Sequence, residues 1–287
     1  MSRSATTAPP AAPGWAARRT LPVRVEAVRQ VRRRRTLVVG LLVALLPAVV
    51  AAAFAVGGEP GAEGRATLLH VATASGPNFA ATCLFLSSGF LLVVPVALFC
   101  GDTISAEAGW SSLRYLLAAP VPRGRLLASK LTVGLLFSAA AIALLPLSAL
   151  AVGTLRYGWH PLHLPTGGTL SPGEAVRRLA IAAGYVFLAQ LVTAALAFWL
   201  STVTDAPLGA VGGALGLTIL GHILDAITAL GHWRDFLPAH WQFAWADAFQ
   251  QHVAWTGMLK GASVSFSCAL VLLALAVRHF TAKDIVS

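Results

Sequence analysis

Apolar residues in this chain come in long unbroken runs, and the polar residues gather between them. The first run reaches from Leu37 to Val56 without a charge. Twenty helical residues at 1.5 Å each extend about 30 Å, the thickness of a bilayer's hydrocarbon core. Comparable runs predict six spans, near 37–56, 79–99, 131–152, 179–200, 207–229 and 259–277. Between the fourth and fifth lies only STVTDAP, where Asp205 and Pro207 suit a tight turn. Ahead of the first run, Leu21, Val25, Val28 and Val31 recur at helical spacing, while Arg24, Arg29 and Arg32 occupy other faces. That pattern predicts an amphipathic helix lying in the membrane interface. Residues 1–20 are rich in Ala, Pro, Ser and Thr and read as a disordered tail, leaving 21–287 as one membrane domain.

Composition supports the pattern. The chain has 287 residues, 57% hydrophobic and 11% charged, against about 25% charged in soluble domains. Its net charge of +10 is concentrated, with nine of 21 Lys and Arg inside the first 35 residues, including Arg32 to Arg35. Basic residues that read nucleic acid are spread over a folded surface; these instead suit membrane orientation and anionic headgroups. With six spans, one side carries fifteen basic residues and the other six, which places both termini in the cytoplasm of a cell-membrane protein. Trp159, Trp233, Trp241, Trp245 and Trp255 all fall in outer loops and are expected at headgroup level, with one or two short interfacial helices between Trp233 and Trp255. The expected fold is an all-α integral membrane protein of six transmembrane helices with an N-terminal interfacial helix.

Several chemistries lack their residues. No GxxxxGK[ST] loop and no HExxH motif occurs, and the eight histidines show no metal-ligand spacing. Cys83, Cys100 and Cys268 sit in or beside apolar runs and form no disulfide framework. His222 and Asp225 share a face near the outer end of the fifth span; a structural or interfacial role outweighs an ion-coupling one there, because headgroups and water lower the cost of the charge. Gly209, Gly212, Gly213 and Gly216 form overlapping GxxxG pairs in the same span, which permit close helix packing.

The segment from Gly101 to Lys130, GDTISAEAGWSSLRYLLAAPVPRGRLLASK, is the longest internal stretch assigned to the cytoplasm. Leu113, Leu116 and Leu117 share a helical face, and Pro120 and Pro122 end the helix. An apolar ridge rimmed by charges suits docking on a soluble partner. The segment resembles the corresponding loop of ABC transporter permease subunits of the type-2 export class. Their pattern is an acidic residue, a Glu, Gly-Thr-Leu-Arg-x-Leu-Leu, Pro-x-x-Arg and a Lys at the next helix. Here those places read Asp102, Glu107, Gly109 through Leu117, Pro120, Arg123 and Lys130. The departure is Trp110-Ser111-Ser112 before Leu113-Arg114. The basic start at 21–36 and the ending HFTAKDIVS are also similar to that family.

The resemblance implies a six-helix subunit that pairs with a second permease copy to form a translocation pathway. It implies no enzyme activity and no cofactor in this chain; ATP and Mg would be held by a separate ABC ATPase subunit. Asp102, Glu107, Leu113, Arg114, Leu116, Leu117, Pro120 and Arg123 would dock that ATPase, with the first amphipathic stretch as an elbow helix nearby. A secondary carrier and a polytopic membrane enzyme are the competing classes. The broken helices and inverted repeats typical of many carriers are not evident in the sequence, and the inner loops offer only the docking segment.

Overall fold

The structure, a computed structural model, describes residues 23–57, 68–106 and 123–282. Among these residues, nine α-helices follow in order: α1 Val23–Val31, α2 Arg34–Gly57, α3 Gly76–Ser88, α4 Val93–Gly101, α5 Arg123–Tyr157, α6 Pro172–Ala189, α7 Leu191–Val203, α8 Pro207–Ala226 and α9 Trp255–Ala282. A two-stranded hairpin pairs β1 (Leu162–His163) with β2 (Thr169–Leu170), and three 3-10 segments occupy Thr228–Phe236, Pro238–Trp241 and Ala244–Phe249. Five helices, with α6 and α7 counted as one, are long and apolar enough to cross a membrane alone. The pair α3 and α4, bent by 55°, together passes the same test of length and apolarity, so the spans number six if the pair crosses as one. The protein is thus all-α in its membrane part, with five to six candidate spans, and each of the six apolar runs lies in a helix or bent helix pair.

Span boundaries differ where polar residues continue a helix. The run at 131–152 belongs to a helix of 35 residues, α5, about 52 Å long at 1.5 Å per residue. Pro146 lies within α5 and Pro47 within α2, each removing one backbone donor. The bend between α3 and α4 is absent from the linear pattern and separates Cys83 from Cys100, both buried. α5 and α7 are the two central helices: α5 packs against α2, α3 and α4, and α7 against α4, α8 and α9. The core they share includes Phe79, Leu84, Leu126, Ile142, Leu145, Phe198 and Phe280.

The breaks are satisfied from within the protein. Helix interruption between Ser88 and Val93 releases carbonyls in an apolar setting, where each unmet group costs several kcal/mol. Gln242 Nε2 donates to the carbonyl of Ser88 and, at 3.1 Å, to that of Gly89. Gln190, at the break between α6 and α7, adds a donor 3.5 Å from Ser88 O. Gln242 follows the 3-10 segment Pro238–Trp241, so residues expected to skirt the membrane surface reach a broken span inside the bundle. Trp245 goes with them. It is fully buried, against its expected headgroup position, and stacks edge-on with Phe85 and Phe249. Trp233 stays exposed as expected.

Arg178 holds this segment in place. It is 5% exposed and donates to the carbonyls of Ala248 (2.9 Å), Gln250 and Gln251 (3.1 Å), while Nε bonds Glu174 at 2.8 Å. Arg178, one of the six basic residues that the sequence assigns to the outer side, is therefore an internal tie between α6 and the loop. Asn78 does similar work for the hairpin: Nδ2 donates to His163 O at 2.8 Å and Oδ1 accepts from His163 N at 2.9 Å.

The closest backbone approach among the glycines is not in the expected stripe. A Cβ at Gly153 of α5 would lie 2.9 Å from Gly76 O, and one at Gly76 would lie 2.8 Å from Thr154 N. In α8, Gly213 would meet only the Cδ1 tip of Leu200, at 3.1 Å, Gly209 would meet Thr204 Oγ1 at 3.5 Å, and Gly212 and Gly216 would meet nothing within 4 Å. The residues α8 buries within the chain are Ala210 and Ala214. Gly153→Leu is expected to destabilise the fold by about 1–3 kcal/mol through overpacking, whereas Gly212→Leu should stay within about 0.5 kcal/mol. Unfolding of the purified protein in detergent compares the two; equal losses would contradict the assigned contact.

Candidate functional site

Six charged side chains, Glu26, Arg29, Arg33, Arg35, Asp102 and Lys130, gather at the end of the bundle that carries α1. Glu26 and Gln30, four residues apart on one helical face, are both buried, while Val25, Val28 and Val31 on the other side are exposed. α1 thus turns its polar face to the protein and its apolar face outward, the orientation of an interfacial helix beside its own bundle. Glu26 Oε1 accepts from Lys130 Nζ at 3.3 Å, and Oε2 lies 3.8 Å from Arg29 Nη1. Lys130 is 1% exposed and sits two turns into α5.

A second contact lies at the start of α2. Arg33 Nη1 donates to Asp102 Oδ2 at 3.3 Å, and Arg35 Nη2 pairs with the same oxygen. Asp102 caps α4, its backbone N–H reaching Leu98 O, and is 3% exposed. Thr103 donates to Cys100 O at 2.8 Å and Ser105 to Gly101 O at 3.0 Å, which closes the end of α4 without water. The backbone turn joining α1 to α2 is fixed by Arg33 N donating to Gln30 O at 3.2 Å. The arginine cluster that marks the first span is therefore partly internal: two of its four members neutralise a buried carboxylate.

These contacts bracket one segment. Asp102 lies just before residues 107–122 and Lys130 just after them, and both are tied to the α1–α2 corner. Of the expected docking residues, Asp102 is in the junction and Arg123 opens α5. Glu107, Leu113, Arg114, Leu116, Leu117 and Pro120 lie outside the described residues. Glu26 escaped the sequence reading; its signal was a lone carboxylate in an otherwise cationic stretch, one turn from Gln30.

The remaining polar candidates lie at the other end. Asp225 accepts from His240 Nδ1 at 2.7 Å and Arg234 Nε at 3.2 Å, so it anchors the loop to α8. It is not bonded to His222, whose Nε2 faces inward without a hydrogen-bond partner. Among the described residues, no three His, Cys, Asp or Glu side chains are grouped to hold a metal ion.

Breaking a buried pair leaves an uncompensated charge and costs about 3–5 kcal/mol, whereas replacing both partners by apolar groups is often neutral. Glu26→Gln and Lys130→Met should each loosen α1, raising hydrogen exchange over 23–31, and the double variant Glu26→Leu/Lys130→Met should restore much of the protection. Unchanged exchange in both single variants would remove this pair from the account.

The family model for ABC-2 family transporter proteins matches residues 24–221. No curated protein matches the chain. The matched stretch begins inside α1, takes in every residue of the junction and runs through nearly all of α8; the chain therefore belongs to the ABC-2 family and is a multi-pass membrane subunit of an ABC transporter.

Proposed function

We propose that the chain works as the translocating half of an ATP-driven exporter, paired with a second permease copy and powered by a separate ABC ATPase subunit. ATP and Mg are held by that subunit, and this chain contributes no catalytic group. The observation that carries the reading is the junction: Asp102, before residues 107–122 in sequence, and Lys130, after them, are each ionically tied to the α1–α2 corner. A push on that segment from a soluble partner is thereby delivered to α4 and α5 together, with α1 moving as part of the same body.

The charge bias of fifteen basic residues against six supports a cell-membrane location with the junction and both termini on the cytoplasmic side. An ATPase would meet the segment there. Leu113, Leu116 and Leu117 supply the apolar contact, with Glu107 and Arg114 at its rim and Pro120 and Arg123 returning the chain to α5. For α2 and α8, 11% of the apolar window is buried within the chain. Outward faces of that extent leave room for lipid and for the second copy, and the Gly212 and Gly216 side of α8 is open to close approach.

Replacing Leu116 and Leu117 with Asp places charge in a desolvated contact, and loss of such central apolar anchors costs about 2 kcal/mol or more. Co-purification of an ABC ATPase partner should fall by about tenfold or more at matched expression, while membrane insertion is retained. Full recovery of the partner with undiminished substrate-stimulated ATPase activity would overturn the docking assignment. Asp102→Asn tests the junction separately: the partner should still bind, but transport per ATP hydrolysed should fall, because the arginines lose the charge that fixes α4 to the corner. Normal transport in that variant would separate docking from the junction.

A further inference from the structure

We propose that a groove between α5 and α6 holds one acyl chain of a membrane phospholipid, with the headgroup drawn to Arg177. The groove has a volume of about 400 Å3. Small residues make the walls, Ala143 with Pro146 on α5 and Ala180 with Gly184 on α6. A Cβ at Gly184 would meet nothing within 4 Å, so the missing side chain is open space rather than a helix contact. None of the lining residues carries a polar side chain. Water needs two to four polar partners to be held in such a place, so an apolar occupant fits better.

Length and charge select among apolar occupants. Along α6 the lining runs from Val176 to Phe187, eleven residues or about 16 Å. That is the depth of one leaflet of a core about 30 Å thick. A helix from a second copy would prolong the contact across both leaflets; one acyl chain ends at mid-membrane. At the mouth, one helical turn before Ala180, stands Arg177, whose side chain is 67% exposed. Arg177 and Arg178 share the single carboxylate of Glu174 through bonds of 2.7–2.8 Å. Two cations against one anion leave one net positive charge where a lipid phosphate would lie. Arg178 is turned inward to the loop carbonyls, so Arg177 is the member that presents it.

The test uses the full chain in vesicles containing phosphatidylglycerol with a photoreactive diazirine near the end of one acyl chain. Adducts should concentrate on peptides covering 139–150 and 176–187. Gly184→Phe enters the groove from a backbone position where a Cβ meets nothing within 4 Å and should lower labelling there by about fivefold. Ala180→Leu serves as a second blocking variant. Gly40→Phe, on an open face of α2, should leave groove labelling unchanged. Phosphatidylcholine carrying the same chain should label about three- to fivefold less, and Arg177→Gln should erase that difference while labelling persists. Even labelling around the bundle, or groove labelling untouched by both blocking variants in protein that elutes as wild type, would overturn the proposal. So would an Ala143→Cys cross-link between two copies in those vesicles, which would show a second polypeptide seated in the groove.

Discussion

In hydrocarbon no backbone carbonyl can be left for water to satisfy, and this constraint organises the bundle at its least regular places. Two spans are interrupted, one between Ser88 and Val93 and one at Gln190, and they are interrupted next to each other. Gln190 and Gln242 bring amide donors to the carbonyls freed at Ser88 and Gly89. The segment that carries Gln242 then has unpaired carbonyls of its own, and Arg178 takes three of them at residues 248–251. The bent span, the broken span and the inserted loop are therefore parts of one hydrogen-bonded arrangement. Removing any donor exposes a polar group in another element.

The opposite end is organised by charge. Buried ion pairs add little net stability, because desolvation offsets much of the attraction, but a mispaired geometry leaves a naked charge and is strongly disfavoured. Glu26 with Lys130, and Asp102 with Arg33 and Arg35, thus specify where α1 must lie more than they strengthen the bundle. Such pairs suit a junction that must keep one geometry.

The spans were legible because bilayer thickness sets a minimum apolar length, and the uncharged run at 37–56 meets that length in full. That α1 is a helix with one buried and one exposed face was legible from the spacing of Val25, Val28 and Val31. What the pattern hid was contact. Glu26 and Lys130 are 104 positions apart in sequence, and nothing local joins them. Trp245 was placed by a preference of its residue type, which burial against Phe85 and Phe249 overrides. Arg178 was counted as a topology charge because composition does not distinguish a guanidinium in water from one wrapped by carbonyls. The α8 glycines were legible as permission for close approach, but the approach the fold makes within the chain is at Gly76 and Gly153.

α1 leaves valines exposed and faces the protein with a carboxylate that binds Lys130 of α5. An amphipathic helix floats at the boundary between headgroups and hydrocarbon, and that boundary moves when the bilayer thins or thickens. Because Glu26 binds α5 directly, the float is moored to the long helix that runs the depth of the membrane. A shift of the membrane boundary acting on α1 would thus reach α5 through the Glu26–Lys130 bond, in addition to any change in packing against neighbouring helices.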